Sequence, residues 1–129
     1  MARPASKHPT ELELEILQIL WNDGPLAGRY VRDRLAPVRE LTYTSVMTML
    51  GIMEEKRYVS RKKVGANFVY SARISREAAS RRMLHDLVDR VFGGSAATAM
   101  INLLETSDVD AGELRQLREL IQRKAKEQP

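Results

Sequence analysis

Apolar residues recur along this chain with two different periods, and the change of period marks out its elements. Thr10-Glu-Leu-Glu13 has the Thr-x-x-Glu form of a capping box, in which a hydroxyl and a carboxylate satisfy orphan N–H groups at a helix start. Leu14, Leu17, Leu20 and Trp21 follow at helical spacing. Asp23-Gly-Pro25 stops that helix, Gly by its permissive backbone and Pro by blocking continuation. A shorter helix is predicted over 27–35, with Tyr30 or Val31 and Leu35 facing inward and Pro37 closing it. Thr42 is placed to cap a third helix, in which Val46, Met49, Leu50 and Met53 repeat as i, i+3, i+4, i+7. Its opposite stripe is Thr44, Thr48, Gly51 and Glu55, flanked by Ser45 and Ile52. Then the pattern turns β-rich, over 58–64 and 68–72, with Gly65-Ala-Asn67 between the two runs as a hairpin turn.

After Arg73 the signals are helical again. Ser75 caps a helix with Met83 or Leu84, Leu87, Val88 and Val91 on one face. Phe92-Gly-Gly-Ser95 breaks it, and Ser95 starts a helix carrying Met100, Ile101, Leu103 and Leu104. Asp110-Ala-Gly-Glu113 is a variant capping box before Leu114, Leu117, Leu120 and Ile121. Lys124 and Lys126 suit the negative pole of that last helix. The expected class is mainly α with a small β-hairpin. Residues 1–9 form a flexible N-terminus, 10–73 an N-terminal winged helix-turn-helix that binds DNA, and 74–129 a three-helix dimerisation segment.

The dimer follows from size. Three short helices over about 55 residues bury too little surface to be stable alone. Yet each shows an apolar stripe, and the expected cover is the same segment of a second subunit. The alternative is that the stripes fold back on the N-terminal domain.

Composition narrows the function. The chain has 129 residues, a net charge of +4 and no Cys, so disulfides and thiolate metal sites are excluded. Residues 1–73 hold 12 Lys/Arg and 8 Asp/Glu, and residues 74–129 hold 9 of each, so the whole excess sits in the winged-helix half. A localised basic excess suits a polyanion-binding domain. Aromatic residues make up only 5%, which disfavours recognition of single strands by stacking. No apolar run is long enough for a membrane span or a signal peptide, so a cytoplasmic protein without direct membrane binding is expected.

Enzyme chemistry finds no constellation to rest on, and no cofactor is expected. His8 and His85 lie far apart in sequence, Glu13 and Glu15 read as surface charges or caps, and Gly93-Gly94-Ser95 is too short for a phosphate loop. The expected DNA contacts are Thr42, Tyr43, Thr44, Ser45 and Thr48 on the third helix. Arg61, Lys62, Lys63 and Asn67 on the wing, and Arg29 and Tyr30 on the second helix, join them. Hydroxyls bond base edges or phosphates, and a Thr methyl packs on a thymine methyl. No Arg, Lys, Asn or Gln lies between Thr42 and Met53, so the strong bidentate base contacts are missing there, and DNA shape and the wing must supplement direct readout. The bland readings are a solvated polar helix face and an edge strand protected by its cations. Arg3, Lys7 and His8 could form a basic arm, with a disordered tail the better reading.

These residues, taken in order, resemble the penicillinase repressors of the BlaI/MecI type. The resemblance runs from about Pro9 to Lys126. It is carried by Pro9-Thr-Glu-Leu-Glu-Leu-Glu-Ile-Leu17, Leu20-Trp-Asn-Asp-Gly-Pro25 and Tyr43-Thr-Ser-Val-Met-Thr-Met-Leu50. Further along, Tyr70-Ser-Ala-Arg-Ile-Ser-Arg-Glu77, Val91-Phe-Gly-Gly-Ser95 and Glu113-Leu-Arg-Gln-Leu-Arg-Glu-Leu120 continue it. The resemblance implies a homodimeric repressor on a palindromic double-stranded operator, controlling β-lactam resistance or related stress responses. For many members it also implies a membrane sensor protease that cuts the repressor in its dimerisation segment. By register with the family's Asn-Phe bond, the scissile bond would be Asn102–Leu103. The chain departs from the family in having Gly51 and Ala66 where Arg is frequent, and Arg57 where Gly is usual. The copper-sensing branch needs Cys, which is absent. Two alternatives stay open: a winged-helix regulator controlled by a small molecule, and a winged-helix protein-interaction module.

Overall fold

The computed structural model describes residues 8–129. The predicted tail over 1–9, with Arg3 and Lys7, therefore falls mostly outside the described residues. His8 and Pro9 inside them are held in place: Pro9 is fully buried, and His8 Nε2 lies 2.9 Å from Asp86 Oδ2.

Helix α1 (Glu11–Asp23) starts at Thr10 with both bonds of the capping box formed, and ends at Gly24, whose φ of 78° only Gly adopts easily. Its buried stripe is Glu13, Ile16, Leu17 and Leu20. That stripe is rotated from the expected one, because Leu14 and Trp21 are only half-buried while Ile16 and Glu13 are enclosed. A carboxylate on the inner face disguised the stripe. Of the two readings of Glu13, cap or surface charge, the structure takes the cap, and the residue is only 1% exposed: both its oxygens accept from Lys56 Nζ, at 3.2 and 3.0 Å, and Oε1 also accepts from the Thr10 N–H.

A two-residue strand, β1 (Leu26–Ala27), precedes α2 (Gly28–Leu35) and was not expected. Of the two inward choices on α2 the structure takes Val31, leaving Tyr30 44% exposed. Helix α3 (Tyr43–Glu55) is capped by Thr42, whose side chain accepts from the Ser45 N–H, and buries Val46, Leu50 and Met53. The hairpin pairs β2 (Val59–Val64) with β3 (Asn67–Ala72) in antiparallel register, Val64 opposite Asn67. The turn is thus Gly65-Ala66 alone, with Asn67 in the strand. Positive φ at Gly65 and not at Ala66 is the pattern of a type II′ turn. β1 adds to β3, giving sheet order β1-β3-β2.

Side chains of α1, α2, α3 and the sheet form one core: Ile16, Leu17, Leu20, Val31, Leu35, Val46, Leu50, Met53, Tyr58, Val59 and Tyr70. This is a winged helix, three helices backed by a three-stranded sheet. Ile74 and Ala79 join the same core, and Trp21 Nε1 donates to the Ile74 carbonyl at 3.0 Å. The first compact unit accordingly runs on to Asp86, past the 73/74 boundary read from the sequence, and the second comprises Leu87–Pro129.

Three further helices are present: α4 (Arg76–Val91), α5 (Ala96–Thr106) and α6 (Ala111–Glu127). The Ser75, Ser95 and Asp110 side chains accept from the N–H groups of Ala78, Thr98 and Glu113, and Asp110 with Glu113 completes a second capping box. α6 has no buried residue, and Leu87, Val91, Met100, Ile101, Leu103, Leu104, Leu114, Leu117, Leu120 and Ile121 are all exposed. Among the described residues no helix is long and apolar enough to cross a membrane.

Candidate nucleic-acid interface

The start of α3, the start of α2 and the wing tip meet at one open groove. Arg29 and Gly28 of α2, Tyr43 and Met47 of α3, and Ala66, Asn67 and Phe68 of the wing line it. Close approach of α2 to α3 makes this possible: a Cβ at Gly28 would collide with Met47 Sδ. Thr42, Tyr43, Thr44, Ser45 and Thr48 are exposed, as are Arg29 and Tyr30. The residues expected to touch DNA on these elements are therefore on the surface, and several of them share one groove.

Their hydroxyls are not equally available. Thr42 Oγ1 accepts from the Ser45 N–H at 3.1 Å and donates to Ser45 Oγ at 2.9 Å. Both side chains are thus engaged in starting the helix. Thr44 and Thr48 have no such bond among the described residues, and their exposed hydroxyls are open to a ligand. Gly51, on the same stripe, has nothing within 4 Å of where a Cβ would stand, so the helix presents a flat notch there.

The wing cations divide in the same way. Alternation along β2 sends Arg61 and Lys63 to one face and Lys62 to the other. Arg61 shares the face of the buried Val59, since Val59, Arg61 and Lys63 alternate with Ser60 and Lys62. Its guanidinium stacks 4.5 Å from the Phe68 ring centroid, and Nε lies 3.4 Å from Glu54 Oε2. Arg61 is tethered to α3 and braces the wing against the helix. Lys62 and Lys63 have no ion-pair partner among the described residues and remain free to meet phosphates. Arg29 is stacked on Tyr30, 4.8 Å from the ring centroid, with Nη2 3.2 Å from the phenol oxygen. This holds a cation at the rim of the groove.

Sequence reasoning missed Met47 and Phe68 as part of this surface. Both look like core residues by type. Only the pairing of the hairpin against α3 shows that Phe68 is 41% exposed.

Asn102 and Leu103 lie inside α5, exposed at the side chain but helical in backbone. Asn102 Nδ2 donates to the Thr98 carbonyl, and Thr106 Oγ1 donates to the Asn102 carbonyl at 2.7 Å. Among the described residues no cluster of three or more His, Asp or Glu could hold a metal ion.

Comparison with known proteins gives a consistent picture. The family model described as penicillinase repressor matches residues 9–123. An uncharacterised 16.5 kDa protein from the ptsI 3′ region of Latilactobacillus sakei is 24% identical over 120 residues, covering 93% of this chain and 82% of that protein. The penicillinase repressor of Bacillus licheniformis is 21% identical over 88% of each chain. The methicillin resistance regulatory protein MecI of Staphylococcus aureus strain N315 is 18% identical, over 87% of this chain and 91% of its own.

Proposed function

The chain belongs to the penicillinase repressor family, and from that premise we propose that it is a homodimeric repressor that reads a palindromic DNA operator. One observation carries the reading: Arg29 of α2, Tyr43 of α3 and Asn67 of the wing line a single groove, with the exposed Thr44 and Thr48 on the same helix as Tyr43 and the exposed Lys62 and Lys63 on the same hairpin as Asn67. The first half of α3 enters the major groove, where Thr44 and Thr48 offer hydroxyls and methyls to base edges. Tyr43 and Arg29 line its edge. Lys62 and Lys63 lie along the adjacent phosphates and hold the register without reading sequence. Asn67 stands at the wing tip, within reach of the backbone or the minor groove.

The second half of the proposal concerns assembly. The exposed Leu, Ile, Val and Met residues of α4, α5 and α6 form stripes that a lone chain leaves in water. Contiguous apolar surface of that kind is found at protein–protein interfaces. A second copy covers them by two-fold symmetry and sets two α3 helices against two half-sites. The partners are then double-stranded DNA and a second copy of the chain, both in the cytoplasm.

Relief of repression by a membrane sensor protease cutting Asn102–Leu103 is the accompanying proposal. Because that bond sits in a hydrogen-bonded helix, α5 must open locally before a protease can hold it extended. Cleavage would remove α6 and its stripe. The two DNA-binding units would then bind separately and lose the gain from linkage, about 10²–10⁴ in affinity.

Fluorescence anisotropy on the DNA upstream of its own gene and on a scrambled duplex, each at two salt concentrations, tests the reading. Preference for the native duplex that persists at the higher salt is expected. Equal binding to both, falling steeply with salt, would reduce the protein to a non-specific binder and overturn the operator claim.

A further inference from the structure

Away from the DNA face, three guanidinium groups converge on one cleft. It lies beyond the C-terminal end of α3, and its walls carry Lys56, Arg57, Tyr58, Arg73, Ser75 and Arg82. No acidic residue lines it. Lys56 is neutralised by Glu13. The guanidinium groups of Arg57, Arg73 and Arg82 have neither an ion-pair nor a hydrogen-bond partner among the described residues. Like charges gathered without a counter-ion repel one another, and a cleft that concentrates them draws in anions. Ser75 caps α4, so the positive end of that helix borders the same space.

The backbone adds an independent observation. Arg57 has φ 66°, the one non-Gly residue in the left-handed region among those described. Its main chain closes the turn between α3 and β2 by donating to the Glu54 carbonyl. Gly would make this turn without strain. Strain retained at a residue whose side chain lines a charged cleft points to a use for that side chain.

We propose that this cleft binds a small molecule bearing two or more anionic groups, phosphate or carboxylate, held by Arg57, Arg73 and Arg82. The free space of about 480 Å³ is of the size that small-molecule sites use. Planar guanidinium forks suit both oxyanions, since each accepts two parallel N–H bonds. A duplex docked on Tyr43 and the wing tip is a poor occupant: α3 separates the two ends by about 20 Å at 1.5 Å per residue. An anion held here would tie together the end of α3, the exit of β3 and the first turns of α4.

Calorimetric titration of the full-length protein with inorganic pyrophosphate, and separately with citrate, tests this. It reads the anion directly and so stands apart from the DNA reading. Saturable one-site binding of at least one probe is expected, and which one binds separates phosphate from carboxylate. Arg73→Gln with Arg82→Gln should weaken it at least tenfold, and Lys62→Ala with Lys63→Ala should leave it unchanged. Arg57→Gly, which relieves backbone strain and so should fold, is the second variant and should also weaken it. No saturable binding of either probe overturns the site. So does full affinity in Arg57→Gly, or an equal loss in the wing variant. If Arg73→Gln with Arg82→Gln weakens DNA binding as much as anion binding, the cluster is a DNA contact and the proposal fails.

Discussion

Individual residues in this chain carry opposing demands, and Arg57 shows it most directly. At φ 66° an L-residue with a Cβ crowds its own carbonyl. Arg57→Gly should raise unfolding stability by about 1 kcal/mol, checked by urea denaturation, because Gly adopts this conformation without that crowding. A second residue-scale case is the clamp between Glu15 and Arg39. Arg39 donates to both carboxylate oxygens, at 2.9 and 3.1 Å. That bond holds the Glu15 carboxyl below its ordinary value of 4.5 and raises Arg39. The folded state therefore releases the Glu15 proton more readily than the unfolded one. The stabilisation is complete above pH 4.5 and is lost as pH falls through the lowered value. Arg39→Gln should flatten this part of the acid limb in denaturation curves measured across pH. The effect should be small, since the pair is partly exposed and water-screened. Glu13 makes the opposite point: a buried carboxylate is tolerated because Lys56 and the Thr10 N–H satisfy it.

At the scale of elements, recognition is divided between a helix that reads and a wing that holds. Thr48 is exposed on the outer stripe of α3 with an uncommitted hydroxyl. Thr48→Ala should relax base preference at one position of each half-site, with a loss of about 1 kcal/mol of discrimination. Selection from a randomised operator library reads this, and an unaltered profile would remove Thr48 from the set of base-reading residues. The wing should behave differently. Lys62→Ala with Lys63→Ala should weaken binding to all sequences alike. The slope of log K against log salt should fall by about 0.9 for each phosphate that is no longer neutralised. An unchanged slope refutes the phosphate role. Arg61 is excluded from that experiment on structural grounds, because it is bonded to Glu54 and stacked on Phe68, so that its removal also loosens the wing.

For the whole molecule, the question is what covers α4, α5 and α6. Leu117 lies in the apolar stripe of α6 and is 37% exposed in the single chain. A two-fold interface would bury it twice. Leu117→Asp should then place two carboxylates in an apolar seam and raise the dimer dissociation constant at least 100-fold, by the penalty of about 3 kcal/mol or more for burying charge without a partner. Sedimentation velocity across concentration checks it, and an unchanged dimer would move the interface off this face. A chain ending at Asp86 should keep the winged-helix core, whereas one ending at Arg73 strips Ile74 and Ala79 from it.

Local chemistry in the sequence determined the helix starts, because a cap is a bond between residues three apart. Thr10, Thr42, Ser95 and Asp110 all cap as their spacing required. The hairpin, the inner face of α3 and the membership of the family were legible for the same reason: each is written in periodicity or in the order of short motifs. Tertiary structure alone decided what depends on residues far apart. β1 has two residues and no period, and exists only because β3 offers it an edge at Tyr70 and Val69. Glu13 reads as a cap from its spacing to Thr10, but its burial depends on Lys56, 43 positions on, which folds over it. Ile74 and Ala79 extend the first unit because Trp21 and the core meet them there. Which wing cations are free was likewise undecided by type or spacing. Arg61 is held by Glu54 and Phe68 while Lys62 and Lys63 are not, since only the packing of β2 and β3 beside α3 brings those partners within reach.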